Sequence, residues 1–156
     1  MPLDRAWIES RLPHAGRMCL LDEVLEWSED RVRCRAASQR AADHPLRAYG
    51  RLGIACGIEY AAQTMAVHGV LAAVAGHAPP RAGFLASVRG VRFDAARLDD
   101  VAGDLYCTAV RVAGDGETVV YEFSVHGSGA AAAEQLHLLV AGRATITLQD
   151  VGAVTP

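Results

Sequence analysis

One carboxylate stands alone in a long apolar stretch of this sequence. Between Ile54 and Pro80 the only residue charged at neutral pH is Glu59, if the histidines are neutral. Burying an unpaired carboxylate is costly, so the position needs a chemical or a structural reason. Gln63 follows about 40° round a helical wheel and can hydrogen-bond to it. An acid in a dry cavity can keep a proton and donate it, whereas an ion pair with an arginine is the structural alternative.

Histidine is the second residue type that could do chemistry here. His44 lies in Asp43-His44-Pro45, just before the apolar stretch, and proline stiffens the loop that carries the imidazole. A neutral imidazole suits proton removal near pH 7, although a lone loop histidine can also be merely solvated. His68 falls about 180° from Glu59 on the helical wheel, so we interpret it as a core or interface residue. His14, in Leu12-Pro13-His14, is interpreted as a local packing or capping residue.

The apolar stretch has the length of a long helix. Residues 56–76, CGIEYAAQTMAVHGVLAAVAG, allow about five turns and are apolar almost all round, which predicts a buried helix. A membrane span is the rival interpretation, because about 20 apolar residues can cross a bilayer. Polar side chains inside the stretch are costly in lipid, so we expect no membrane association.

Residues on both sides of this helix show strand patterns. Residues 19–25 and 31–36, joined by Ser28-Glu29-Asp30, predict a first hairpin, and a short helix is expected around residues 6–10. The later strands are predicted at residues 84–93, 104–112, 118–126 and 136–148. One buried helix needs a curved antiparallel sheet around it, so residues 1–156 predict a single α+β domain of the hotdog architecture. Such sheets usually pair into dimers, which protects their edge strands.

Composition excludes several classes of function. The net charge of −3 argues against nucleic-acid binding, which needs a basic surface. The four cysteines are scattered without a C-x-x-C pair, so we expect buried free thiols in a reducing cytoplasm and no zinc site. The first ten residues lack the apolar segment of a signal peptide.

Five short segments in the same order resemble the hotdog-fold 3-hydroxyacyl-[acyl carrier protein] dehydratases of fatty acid synthesis. The similar segments are Leu12-Pro13-His14 with residues 20–24 (LLDEV), Asp43-His44-Pro45, residues 59–63 (EYAAQ), Val91-Arg92-Phe93 with Gly103-Asp104-Leu105, and residues 141–144 (AGRA). The second resembles the family's G-H-F-P segment, and the third resembles its E-A-x-A-Q segment. The chain is most similar to the divergent dehydratase-like subunit of aryl-polyene-type clusters.

The resemblance implies a reaction and a role for particular residues. The substrate would be a 3-hydroxyacyl thioester on the phosphopantetheine arm of acyl carrier protein, with no metal or other cofactor. His44 would remove the C2 proton as base, and Glu59 of the other subunit would protonate the departing C3 hydroxyl. Gln63 and the backbone N–H groups around Gly53 and Gly57 would bind the substrate, the latter by polarising its carbonyl. The arginines that could dock the acidic carrier protein are Arg81, Arg89, Arg92 and Arg97, with a solvated strand face as the alternative.

Three departures from the family pattern leave more than one function open. Leu46 replaces the aromatic residue after the histidine, residues 51–54 (RLGI) lack a proline, and His44 and Glu59 lie 15 residues apart, one more than usual. The first interpretation is an active dehydratase, as a homodimer or a heterodimer. The second is a non-catalytic or half-catalytic partner of another dehydratase subunit. The third is an acyl-thioester hydrolase, because hotdog folds host both chemistries, although His44 followed by Pro45 favours dehydration.

Overall fold

The computed structural model describes residues 2–14, 16–129 and 135–150. The helices are α1 (Arg5–Arg11) and α2 (Gly57–Ala75), with single 3-10 turns at Gly16–Met18, Ser38–Arg40 and Ile54–Cys56. The strands are β1 (Glu23–Trp27), β2 (Arg31–Ala36), β3 (Arg81–Phe93), β4 (Leu105–Gly114), β5 (Thr118–Ser128) and β6 (Leu136–Asp150). The sequence also predicts a frayed tail after Asp150, and that tail lies outside the described residues.

The six strands form one antiparallel sheet in the order β1-β2-β4-β5-β6-β3. The chain leaves β2 through a loop and α2, then returns to the far edge of the sheet as β3, beside β6. The predicted α+β arrangement, one long helix with an antiparallel sheet, is therefore confirmed. This topology leaves β1 and β3 as the two edges.

Helix α2 buries its sheet-facing side most completely. Tyr60, Ala61 and Val67 are fully buried there, and Met65 and Leu71 nearly so. The other side is only half-covered within one chain. The half-buried or exposed positions on that side are Ala62, Ala66, Gly69 and Ala73. The apolar sequence predicts that α2 is buried all round. This chain's own sheet covers only one side, so the other side requires a further covering surface.

The first strand begins later than the sequence predicts. Cys19, Leu20 and Leu21 are fully buried, yet they precede β1 and do not join its ladder. The backbone N–H of Leu20 donates to the side chain of Gln63 at 2.9 Å, in place of a neighbouring strand. An apolar extended segment looks like a strand in sequence, but here a side-chain amide takes the place of the ladder partner.

His68 is a core residue, as its position on the helical wheel predicts. The side chain is 1% exposed. Its Nε2–H donates to the backbone carbonyl of Ser28 at 3.1 Å, so Nδ1 accepts from the hydroxyl of Tyr121 at 2.8 Å. The ring therefore joins α2 to the β1–β2 turn and to β5. No helix among the described residues is both long and apolar enough to span a bilayer.

We expect the free energy of unfolding to fall as the pH drops below about 6.5. Burial lowers the pKa of His44, His68 and His126 in the folded chain, from 6.5. The unfolded chain then binds protons at a pH where the folded chain does not, so stability present above pH 6.5 is lost towards the folded pKa values. Urea titrations between about pH 7.5 and 5 measure this loss.

Two matched variants separate this effect from general acid sensitivity. His68→Gln removes one buried titrating ring and is expected to flatten the pH dependence. His137→Gln makes the same change at an exposed position on β6 and is expected to leave it as in the wild type. An unchanged pH dependence in His68→Gln would contradict the explanation.

Candidate active site

Glu59 is the third residue of α2, and its side chain is partly accessible. It is 33% exposed, so the carboxylate is not sealed within the chain. Its Oε1 accepts a hydrogen bond from Nε2 of Gln63 at 3.2 Å. The contact predicted from the four-residue spacing is therefore present, while the carboxylate itself remains open to a neighbouring molecule.

Gln63 is held rigidly by the segment that precedes β1. The side chain is fully buried. Its Oε1 accepts from Leu20 N–H at 2.9 Å, and its Nε2 donates both to the Met18 carbonyl at 2.7 Å and to Glu59. Both amide protons and the carbonyl oxygen are thus engaged. A side chain so constrained fixes the position of the Glu59 oxygen that it contacts.

His14 lies beside the same carboxylate, which sequence reasoning did not anticipate. Its Nε2 is 3.4 Å from Oε1 of Glu59, and the two side chains are about equally exposed. The other ring nitrogen, Nδ1, is buried and has no hydrogen-bond partner among the described residues. Its place in Leu12-Pro13-His14 was the available signal, but the motif suggested only local packing.

His44 is buried, although it belongs to the loop between β2 and α2. Only 5% of the residue is exposed, so the alternative of a solvated loop side chain is wrong. Burial, followed by the charge of Arg47, lowers the pKa of His44 and keeps the ring neutral at pH 7. Its Nδ1 accepts from the backbone N–H of Leu46 at 3.1 Å, so the proton of the neutral ring resides on Nε2.

A chain of hydrogen bonds that runs from Leu20 to Nε2 of His44 requires the same tautomer of His44. The Ser38 hydroxyl donates to the carbonyl of Leu20 at 2.9 Å. It must therefore accept from the Tyr60 hydroxyl at 2.6 Å, and burial raises the pKa of Tyr60, which keeps it a donor. Tyr60 in turn accepts from Nε2–H of His44 at 3.0 Å. Both imidazole nitrogens are consequently engaged within the chain.

Leu20 is the point at which the two sets of contacts meet. Its N–H donates to Gln63, which holds Glu59. Its carbonyl accepts from Ser38, which leads through Tyr60 to His44. One backbone residue thus positions both candidate groups.

An ion cluster anchors the loop that carries His44. Arg47 and Arg97 both contact the carboxylate of Asp99, at 3.1 and 2.8 Å, and Asp99 also accepts from Leu52 N–H. The hydrogen bond from Arg97 holds the pKa of Asp99 well below its usual range, so the carboxylate stays charged. The loop is thereby tied to the segment before β4.

The two predicted substrate-binding glycines occupy different environments. A Cβ atom on Gly57 would lie 2.7 Å from Cγ2 of Val140, so this position keeps α2 tightly against β6. The N–H groups of Ile54, Cys56 and Gly57 donate to carbonyls of the chain itself. Within the described residues, the N–H of Gly53 makes no such bond and remains a candidate donor to a thioester carbonyl.

Most of the predicted carrier-docking arginines pair within the chain. Arg81 pairs with Asp150, Arg92 with Asp94, and Arg97 with Asp99. Arg89 is exposed on β3 and forms no ion pair inside the described part of the chain. Of the four, Arg89 has its charge most available for an acidic partner.

The cavity beside His44 does not include Glu59. An open cavity of about 290 Å³ has His44 and Ser38 in its wall, together with Arg5, Arg17 and Asp22, but not Glu59. Glu59 instead lies partly exposed beside His14 and Gln63. Within the described ranges, no group of three or more His, Cys, Asp or Glu side chains is arranged to hold a metal ion.

Comparison with solved structures identifies the fold class. One similar structure is the dehydratase heterocomplex ApeI:P from Xenorhabdus doucetiae, at 23% identity and a TM-score of 0.76, covering 98% of this chain and 93% of that one. A thioesterase family protein from Silicibacter pomeroyi has 12% identity and a TM-score of 0.65, covering 94% and 96%. Thioesterase HI1161 from Haemophilus influenzae has 13% identity and a TM-score of 0.57, covering 82% and 78%.

These similarities define a hotdog-fold protein, as the sequence predicted. The ApeP-like family, whose description is ApeP dehydratase, matches residues 6–146. The chain therefore belongs to the ApeP-like dehydratase family. Comparison with curated proteins gives no match.

Proposed function

We propose that this chain is a subunit of a hotdog dehydratase that removes water from 3-hydroxyacyl thioesters on acyl carrier protein. Membership of a dehydratase family supports the reaction class. The similar ApeI:P structure is a dehydratase heterocomplex, which supports assembly with a second hotdog subunit. The observation that carries the proposal is Glu59, an accessible acid fixed by Gln63 at the start of α2.

The proposed reaction needs one base and one acid on the substrate. The base takes the C2 proton, the electrons of that bond form the C2–C3 double bond, and the C3–O bond breaks. Glu59 gives its proton to the departing hydroxyl, which leaves as water, and the product is a trans-2-enoyl thioester. The Gly53 N–H is a candidate donor to the thioester carbonyl, on which negative charge develops.

His44 is the proposed base within this chain. Its neutral ring suits proton removal, and its loop is held by the Asp99 cluster. Because the cavity beside His44 does not include Glu59, we propose that a productive site combines residues from two subunits. To act as base, His44 must exchange one of its internal hydrogen bonds for the substrate.

A second function, that of a partner subunit, is favoured by one observation. Both nitrogens of His44 are engaged inside the chain, by Leu46 and Tyr60. If they remain engaged during turnover, the partner subunit supplies the base and this chain supplies Glu59. Hydrolysis of the thioester is the remaining alternative, because one fold can host both chemistries. The similar thioesterases share only the architecture with this chain, so they do not themselves favour hydrolysis.

The test is a mass-spectrometric assay of the purified chain with 3-hydroxyacyl-acyl carrier protein, alone and with a co-encoded hotdog subunit. Loss of water from the acyl group is the expected result. Loss of the whole acyl group would identify a hydrolase instead. An acyl group that stays intact in both assays would contradict a dehydratase role.

We expect the subunits to associate through the β3 edge and the half-covered side of α2. Phe84, Leu85 and Phe93 are exposed on β3, a long edge strand that can pair with another chain. Phe84→Arg introduces a charge into this surface and is expected to weaken association by about tenfold or more. Sedimentation of the chain, alone and with its hotdog partner, measures the change.

A matched substitution on the opposite edge is the control. Trp27 is an aromatic residue of similar exposure on β1. Trp27→Arg is expected to leave association unchanged. Equal weakening by both variants would rule out a specific role for the β3 edge.

A further inference from the structure

We propose that His14 is a positioning residue for the acid Glu59. Its Nε2 lies 3.4 Å from Oε1, the oxygen to which Gln63 donates. In the proposed arrangement the His14 N–H is directed at Oε1, so that Oε2 carries the transferable proton. This inference rests on the proposed dehydration by Glu59. It assigns to the histidine of the Leu12-Pro13-His14 motif a role that the reaction alone does not require.

The two oxygens of the Glu59 carboxyl group have different surroundings. Oε1 lies 3.2 Å from Nε2 of Gln63 and 3.4 Å from Nε2 of His14. Oε2 accepts no hydrogen bond from the residues that the structure describes. A protonated carboxyl whose Oε1 accepts from two N–H groups places its proton on Oε2. The acid is thus oriented with its donor oxygen away from its supports.

His14 is well placed to act as one of these supports. Leu12, two residues earlier, is buried, and Arg5 donates to the carbonyl of Gly16, two residues later. Gln63 donates to the carbonyl of Met18, so both supports of Glu59 belong to one connected region. The buried, unpartnered Nδ1 shows that the ring is not placed to satisfy both nitrogens. Its polar contact is directed at Glu59.

The arrangement favours proton transfer as well as orientation. Hydrogen bonds to a carboxylate are stronger than those to a neutral acid. When the Oε2–H bond breaks and the proton goes to the leaving hydroxyl, Glu59 becomes a carboxylate. The contacts from His14 and Gln63 therefore strengthen as the reaction proceeds, which stabilises the transition state more than the bound substrate.

The test compares two substitutions of His14 in the complete two-subunit assembly. His14→Leu removes the N–H donor and is expected to lower kcat for water loss about tenfold or more, with little change in KM. His14→Gln places an amide N–H near the position of the imidazole Nε2, and it is expected to retain kcat within about threefold of the wild type. His137→Leu, at an exposed position on β6, is the matched control.

The possible results distinguish this inference from the proposed function. Wild-type turnover in His14→Leu, or an equal loss of kcat in His14→Leu and His14→Gln, would overturn the role of His14 alone. If the wild-type assembly removes no water, both the proposed function and this inference fail. Melting temperatures identify a general folding defect. If His14→Leu is unstable, retained turnover in His14→Gln still supports the donor role, and lost turnover in a stable His14→Gln overturns it.

Discussion

Glu59→Gln is expected to lower the dehydration rate by about 10²–10⁴-fold while leaving the fold intact. The amide has nearly the shape of the carboxylic acid, but it cannot donate an acidic proton to the leaving hydroxyl. Its carbonyl oxygen can still accept from Nε2 of Gln63, and its side chain stays at the partly exposed start of α2. Single-turnover mass spectrometry with the complete assembly measures the rate.

Glu117→Gln is the matched control for this prediction. Glu117 is an exposed residue in the turn between β4 and β5, outside the candidate site. Its substitution is expected to leave turnover unchanged. Dehydration by Glu59→Gln at the wild-type rate would make Glu59 a structural residue and would remove the acid from the proposed mechanism.

His44→Gln is expected to separate catalysis from stability. The glutamine amide can donate to Tyr60 much as Nε2–H of the imidazole does at 3.0 Å, but it cannot accept a proton from C2. If His44 is the base, turnover falls by about 10²–10⁴-fold. The melting temperature falls less than in His44→Ala, because the contact with Tyr60 is kept and only the Leu46 N–H loses its partner. If this chain is a partner subunit, turnover of the two-subunit assembly stays at the wild-type level.

His44→Ala is the companion variant. Because His44 is buried, this truncation tests stability as well as catalysis. The truncation removes the hydrogen bonds of His44 to the Tyr60 hydroxyl and to the Leu46 N–H. The N–H is then left unsatisfied, which costs about 1–3 kcal/mol. We therefore expect lower stability as well as lower activity. Unchanged stability in His44→Ala would contradict the hydrogen-bond chain through Tyr60 and Ser38.

Most of the architecture could be predicted from the sequence because its patterns are local. The apolar stretch around Glu59 predicts α2, and the alternation from Thr118 to His126 predicts β5. The early start predicted for β1, at Cys19, was wrong because burial alone does not distinguish a strand from an extended segment. Only the contact between Leu20 and Gln63 shows where the backbone N–H of that segment is satisfied.

The candidate site could be predicted only where its contacts are local in sequence. Glu59 and Gln63 meet because four residues make about one helical turn. The contact of His14 with Glu59 depends on how α1 and the following turn pack against α2, which no spacing encodes. The burial of His44 against Tyr60 has the same origin, because the fold of the loop carries the ring beneath α2.

The two backbone hydrogen bonds of Leu20 have a consequence for how the sequences of such subunits can diverge. They use the N–H and the carbonyl of one residue, which every amino acid except proline provides. Substitution of the side chain at position 20 therefore changes packing but does not remove the backbone link between Glu59 and His44. A lineage can replace either end, at Glu59 or at His44, and still inherit the support for the other. The main chain thus preserves a framework on which an active subunit and a specialised partner can be built from the same fold.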